Sequence, residues 1–144
     1  MEILREENHQ EIINGYTRID WKPLFDMIPR IEKTTSFGEE IGGGMDDDGV
    51  YHIPTWSSSK IVYEFLDVVY DIPIIIDFDW SRWDEGRKIA QDENFDYDTI
   101  DIPTKCKLIT AFVRNDRFRD GALSGAFQKG TILKILKSIE RQAF

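Results

Sequence analysis

Lys60-Ile61-Val62-Tyr63-Glu64-Phe65-Leu66-Asp67-Val68-Val69-Tyr70 is the stretch on which the fold class turns. Ile61, Val62, Phe65, Leu66, Val68 and Val69 cover most of a helical circumference, which predicts the most buried helix of the chain. Ser57-Ser58-Ser59 suit its N-terminus and Pro73 stops it. Directly beyond, Ile74 to Phe78 is a short apolar run expected to form a buried strand. The expected class is α+β, mostly α-helical, with about five or six helices and a small two- or three-stranded antiparallel sheet or hairpin.

Upstream, Ser36 to Ile41 and Val50 to Trp56 flank Gly42-Gly43-Gly44 and Asp46-Asp47-Asp48-Gly49, the pattern of a hairpin with a mobile tip. Pro54 pushes the second strand towards an edge. Trp21, Leu24, Phe25, Ile28 and Ile31 recur at helical spacing after a capping Asp20, and Pro29 kinks or ends that helix. Residues 1–19 are polar and weakly periodic, which suggests a loosely packed N-terminal segment within one domain spanning 1–144.

Downstream, Ser81-Arg82-Trp83-Asp84 has the form of a capping box before a helix to about Gln91, followed by an acidic loop over 92–102. Pro103 or Thr104 opens a helix that carries Cys106, Ile109, Phe112 and Val113 on one face. Asp120 suits the cap of a short helix through Phe127, Gly130 its left-handed end, and Ile132, Leu133, Leu136 and Ile139 line the last helix.

The chain has 144 residues and a net charge of -9, with 41% hydrophobic residues. That length buries about 70% of the unfolded surface without disulfide or metal. One cysteine excludes an internal disulfide, and no apolar run approaches the roughly 18 residues that cross a bilayer. A soluble, cytoplasmic protein is expected. The charge is uneven: residues 1–36 carry -2, residues 37–101 carry -13 and residues 102–144 carry +6. With no linker between them, the acidic middle and basic end are expected to lie against each other.

The motifs that suggest chemistry fail on spacing. Asp92-Glu93-Asn94-Phe95-Asp96 begins like a calcium loop, but Tyr97 replaces the turn glycine and Pro103 the bidentate glutamate. Ser57-Ser58-Ser59-Lys60 matches S-x-x-K without the companion elements of serine acylases. Gly42-Gly43-Gly44 lacks the lysine and helix of a phosphate loop. Cys106, with His52 or His9 as base, shares an apolar helix face and reads as a buried thiol. No metal and no cofactor are expected.

Two clusters remain as candidate ligand-binding residues. On a strand, Asp77 and Asp79 would share a face about 6.6 Å apart, a spacing that suits a cation or an acid–base pair, with Trp80 and Trp83 beside them. Arg114, Asp116 and Arg117, with Phe118 and Arg119, sit at a helix junction where guanidinium groups could bind an anion. Asp116 and Arg117 could equally tie two helices together. Residues 121–141 partly match a helix-turn-helix, with Lys134, Lys137 and Arg141 on one face of the last helix.

Residues 78–136 resemble a family of small uncharacterised bacterial proteins, classed as a domain of unknown function. The resemblance rests on Phe78-Asp79-Trp80 with Trp83, on Leu108-Ile109-Thr110 leading to Arg114-Asn115-Asp116-Arg117-Phe118, and on Gly121-Ala122-Leu123, Ala126, Gly130 and Ile135-Leu136. It implies a small soluble prokaryotic protein with no assigned activity, cofactor or catalytic residue. The leading expectation is a non-enzymatic domain that binds a protein or a small ligand. The alternatives are a nucleic-acid module using the C-terminal segment, made less favourable by the acidic middle, and an enzyme using the Asp77/Asp79 pair.

Overall fold

The computed structural model describes residues 3–143. Helices dominate: α1 (His9–Asn14), α2 (Arg18–Phe25), α3 (Ile28–Lys33), α4 (Lys60–Asp71), α5 (Asp84–Gln91), α6 (Ile102–Asn115), α7 (Ala122–Gln128) and α8 (Thr131–Ala143). The strands are short: β1 (Leu4–Arg5), β2 (Gly38–Ile41), β3 (Gly44–Met45), β4 (Tyr51–His52), β5 (Thr55–Ser58) and β6 (Ile76–Asp77). The class is α+β and mostly helical, as the periodicity predicts.

The hairpin forms. β2 pairs antiparallel with β5 from Gly38↔Ser58 to Ile41↔Thr55, and β3 pairs with β4 beyond the interruption at Gly42-Gly43 and Pro54. One pair departs from expectation: β1 runs parallel to β6, with Leu4 opposite Ile76. Parallel partners far apart in sequence leave no turn signal to read. Leu4, His9 and Ile13 are buried, so the N-terminal segment contributes to the core instead of packing loosely.

Helix α8 is central. Ile132, Ile135, Leu136 and Ile139 are fully buried, and the helix packs on α2, α3, α6 and α7. Each such side chain stabilises the fold by roughly 1.5–3 kcal/mol. Phe127 of α7 lies between Phe37, stacked at 5.1 Å, and Phe65, edge-on at 5.0 Å. The segment 60–71 is less enclosed than its composition suggests: Ile61, Val62, Phe65 and Val69 are buried, but Leu66 and Val68 are only half-buried and Tyr63 is exposed.

Several helix ends differ from the sequence reading. Thr17, not Asp20, caps α2, with Asp20 closing the capping box from inside the first turn. The helix ends at Phe25, where Pro29 withholds the N–H that would continue it, and α3 restarts with Pro29 in its first turn. Ser59 occupies the cap position of α4, yet its hydroxyl is buried without a partner among the described residues. Ser81 does not cap α5; its hydroxyl donates to Asp79 at 2.8 Å. Asp101 caps α6 through the Thr104 N–H, whereas Gly130 takes the expected left-handed φ, 82°, between α7 and α8.

Acidic middle and basic end do meet. Arg141 and Ser138 of α8 both donate to Asp98 and Lys134 reaches the Glu93 carbonyl, while Lys137 faces Glu32, which precedes the acidic middle, at 3.6 Å. The loop carboxylates are otherwise used on their own backbone: Asp92 accepts from Asn94 N–H and Asp96 from Asp98 N–H. No group of three His, Cys, Asp or Glu among the described residues converges as a metal site. No helix there is long and apolar enough to cross a membrane.

Candidate functional site

A cleft opens between α5 with its preceding 3₁₀ turn (Trp80–Arg82) and helix α6. Its floor is one stripe of α6: Leu108, Ala111, Phe112 and Asn115 follow the i, i+3, i+4, i+7 spacing of a single helix face. Ala111 keeps the floor low. Trp80 and Trp83 form the opposite wall, and Arg119, just past the C-terminus of α6, stands at the rim. The cavity measures about 310 Å³ and adjoins a second of about 360 Å³ that shares Phe112, Asn115 and Arg119. Small-molecule sites span about 300–1,000 Å³.

The wall is held firmly. Trp83 follows the 3₁₀ turn and precedes α5, and its ring lies on the first turn of α5 over Gly86. A Cβ at Gly86 would fall 2.2 Å from the indole. Phe78 meets Trp83 edge-on at 5.5 Å, and Lys107 Nζ sits 4.9 Å from the Phe78 ring centre. Trp80 leans towards Phe118 at 5.9 Å, linking the 3₁₀ turn to the segment after α6.

Two arginines of different availability line the cleft. Arg87 is already engaged, donating to the Ser81 carbonyl at 3.2 Å and lying 3.7 Å from Asp84. Arg119 is exposed and has no ion pair or side-chain hydrogen bond among the described residues. Asn115 beside it offers both a donor and an acceptor.

Of the residues singled out from sequence, Trp80 and Trp83 line this cleft, together with Arg119. Asp77 and Asp79 do not. Strand β6 ends at Asp77, so the two carboxylates do not share a strand face; Asp79 instead accepts from Ser81 and faces Arg82 at 3.7 Å. Arg114, Asp116 and Arg117 lie outside the lining. Asp116 accepts the Leu123 N–H at 3.0 Å and so anchors the start of α7, the role expected of Asp120; exposed Arg117 is not its partner.

The other sequence candidates have structural employment. Cys106 is fully buried, and burial pushes its thiol well above the usual range. Neither histidine serves it: His9 Nδ1 lies 2.7 Å from the Glu6 carbonyl, and His52 pairs with Asp46 at the hairpin tip. Ser58 meets Ser124, and Lys60 faces Glu64 across one helical turn. Sequence placed Asn115 in the arginine cluster and Leu108 in the family resemblance, but did not join them with Ala111 as one cleft face; an asparagine closing an apolar i, i+3, i+4 stripe was the available signal.

The model of a family of unknown function, DUF6508, matches residues 16–143, from the capped start of α2 to the end of α8. The chain belongs to DUF6508. Both walls of the cleft and the whole hairpin fall within the matched span of this DUF6508 domain, whereas β1 and α1 precede it. No curated protein and no solved structure matches the chain.

Proposed function

We propose that this DUF6508 chain is a non-enzymatic binding domain whose cleft takes a small ligand with a flat apolar body and one carboxylate or phosphate. The observation that carries this reading is the pairing of an aromatic wall with the uncommitted guanidinium of Arg119. Trp80, Trp83 and Phe112 offer stacking and edge contacts worth about 0.5–1.5 kcal/mol each beyond area burial. A guanidinium presents its forked donors to a carboxylate or phosphate in a geometry that an ammonium cannot reproduce. Asn115 adds orientation.

Support for an enzyme is weaker. A reaction needs an acid, base or nucleophile aimed into the cavity. Among the residues lining the first cavity the ionisable groups are arginines, the adjoining one adds the exposed Asp120 and Lys129, and Asp77 and Asp79 stand elsewhere. The nucleic-acid reading also has less behind it. The apolar half of α8 is committed to the core, and Lys134, Lys137 and Arg141 are engaged by Glu93, Glu32 and Asp98.

Tryptophan emission tests the proposal, because two of the four tryptophans line the cleft. Phenyl phosphate and phenylacetate should shift or quench emission saturably, and the change should shrink in Trp83→Phe. Benzyl alcohol and inorganic phosphate, which each lack half of the recognition, should have little effect at the same concentration. Equal responses to phenyl phosphate and inorganic phosphate, or none to either aromatic acid, would sink the reading.

A further inference from the structure

The outer hairpin carries an apolar surface that the other described residues leave uncovered. Every residue from 39 to 53 is exposed. Met45 is 72% exposed, Tyr51 64% and Ile53 78%, with Ile41 and Val50 at about half. A two-stranded hairpin by itself is marginal in water, and contiguous exposed apolar side chains mark interaction surfaces. The tip is nevertheless tied: Asp46 accepts from the Asp48 and Val50 N–H groups and pairs with His52 at 2.8 Å.

The charge of this arm is one-sided. Between Lys33 and Lys60 the chain has Glu39, Glu40, Asp46, Asp47 and Asp48 and no lysine or arginine. A matching surface must therefore be basic and partly apolar. The same chain has one at the C-terminal end of α6 and the turn after it, where half-buried Arg114 and exposed Arg117 have no ion pair among the described residues and Phe118 is 77% exposed. Asp116, the carboxylate between them, is engaged by the Leu123 N–H.

The two surfaces are neighbours. Trp56, at the root of the hairpin, packs on Gly121, where an added Cβ would lie 3.0 Å from the indole, and donates to Ser124 Oγ at 3.1 Å. Hairpin root and arginine turn thus border one another at the start of α7.

We infer that the acidic, apolar hairpin of one copy docks on the Arg114–Phe118 turn of a second copy of this chain. In a two-fold arrangement each hairpin meets the other copy's turn, so the contact is made twice and closes as a dimer. Charge complementarity favours a second copy over a foreign protein: the hairpin supplies carboxylates and no lysine or arginine, and the turn supplies Arg114, Arg117 and Arg119 against the engaged Asp116 and the exposed Asp120. The inference does not rest on the cleft, whose lining includes neither Arg114, Arg117 nor Phe118.

Sedimentation of the full chain across a wide concentration range tests it. The wild-type protein should associate to a dimer at about 0.05 M salt and at least ten-fold more weakly at about 0.5 M, where the Debye length has fallen about three-fold. Glu39→Lys with Asp47→Lys and Asp48→Lys should weaken association at least ten-fold, and so should Arg114→Glu with Arg117→Glu. Mixing the two variants should restore a mixed dimer. Circular dichroism melts check each fold, and Arg117→Glu alone replaces the double variant if that one melts low. A wild-type monomer at every concentration, or a dimer that neither reversal weakens, would overturn the inference; so would a mixture that stays monomeric.

Discussion

The indole of Trp83 occupies the space that a side chain at Gly86 would need, its Cε3 lying 2.2 Å from where a Cβ would be. Two opposed effects meet there. Glycine within a helix costs about 1 kcal/mol relative to alanine, so Gly86→Ala would normally stabilise α5. Displacing a packed ring costs about 1–3 kcal/mol. Gly86→Ala is therefore expected to lower the melting midpoint and to change near-ultraviolet circular dichroism as Trp83 leaves the cleft wall. A higher midpoint with an unchanged aromatic spectrum would show that the ring does not depend on this glycine.

Asp116 supplies an acceptor to Leu123 N–H, the cap of a helix whose own preceding residues offer none. Asp116→Ala should cost about 1 kcal/mol, within the usual range for a lost cap, while Asp116→Asn keeps an acceptor and should cost less. Arg117→Ala should stay within about 0.5 kcal/mol, as exposed substitutions do. Urea unfolding of the three variants checks the order. An Arg117→Ala loss as large as that of Asp116→Ala would restore the ion-pair reading of the junction.

Much of this fold is legible because its signals are local. The apolar spacing of Ile132, Leu136 and Ile139, the glycine at position 130 and the acidic turn between β3 and β4 each act within a few residues, although Leu133, read as lining the same face, is only half-buried and Ile135 takes the buried place. What sequence hid depends on distant partners. β1 finds β6 more than seventy positions away. Asp79 could be placed beside Asp77 on paper because nothing nearby shows that β6 stops first. The cleft was half legible: Trp80 and Trp83 stand out as residue types, but their partner wall on α6 is assembled only by packing.

Lys105 is fully buried on α6, its ammonium donating to Gln142, and burial lowers its pKa to about 8. The unfolded chain holds that proton to a higher pH. Between pH 8 and 9 the unfolded state therefore binds more protons than the folded state, so stability rises with pH by about 1 kcal/mol. Within the same window and above it the Cys106 thiol, raised by burial, acts in the opposite sense: the unfolded chain ionises from the ordinary thiol value of about 8.5, and this offsets part of the gain. From pH 8 to 9 the denaturant midpoint should rise slightly for wild type and fall for Lys105→Met, in which the Cys106 effect acts alone. Equal rises in both proteins would remove Lys105 as the source.

Asp98 is held below the usual carboxylate range by hydrogen bonds from Arg141 and then from Ser138, despite partial desolvation. A lowered folded-state pKa contributes stability that is present above the unfolded value and is lost as pH falls through the folded one. Asp98→Asn should be less stable than wild type near pH 7. The gap should narrow as pH falls below about 4, where the wild-type carboxyl protonates too. A gap that is constant from neutral to acidic pH would mean that Asp98 acts through its shape and not through its charge.

The central claim is that Arg119 and the tryptophan wall recognise an aromatic anion together, and calorimetric titration of phenyl phosphate tests it most directly. One site per chain is expected, with a Kd below about 1 mM, about 4 kcal/mol of binding free energy. Binding should be at least ten-fold weaker in Arg119→Gln, about 1.4 kcal/mol, and unchanged in Lys33→Gln, an exposed basic residue outside the cleft. No saturable heat from the wild-type protein, or equal affinity in Arg119→Gln and wild type, would contradict it.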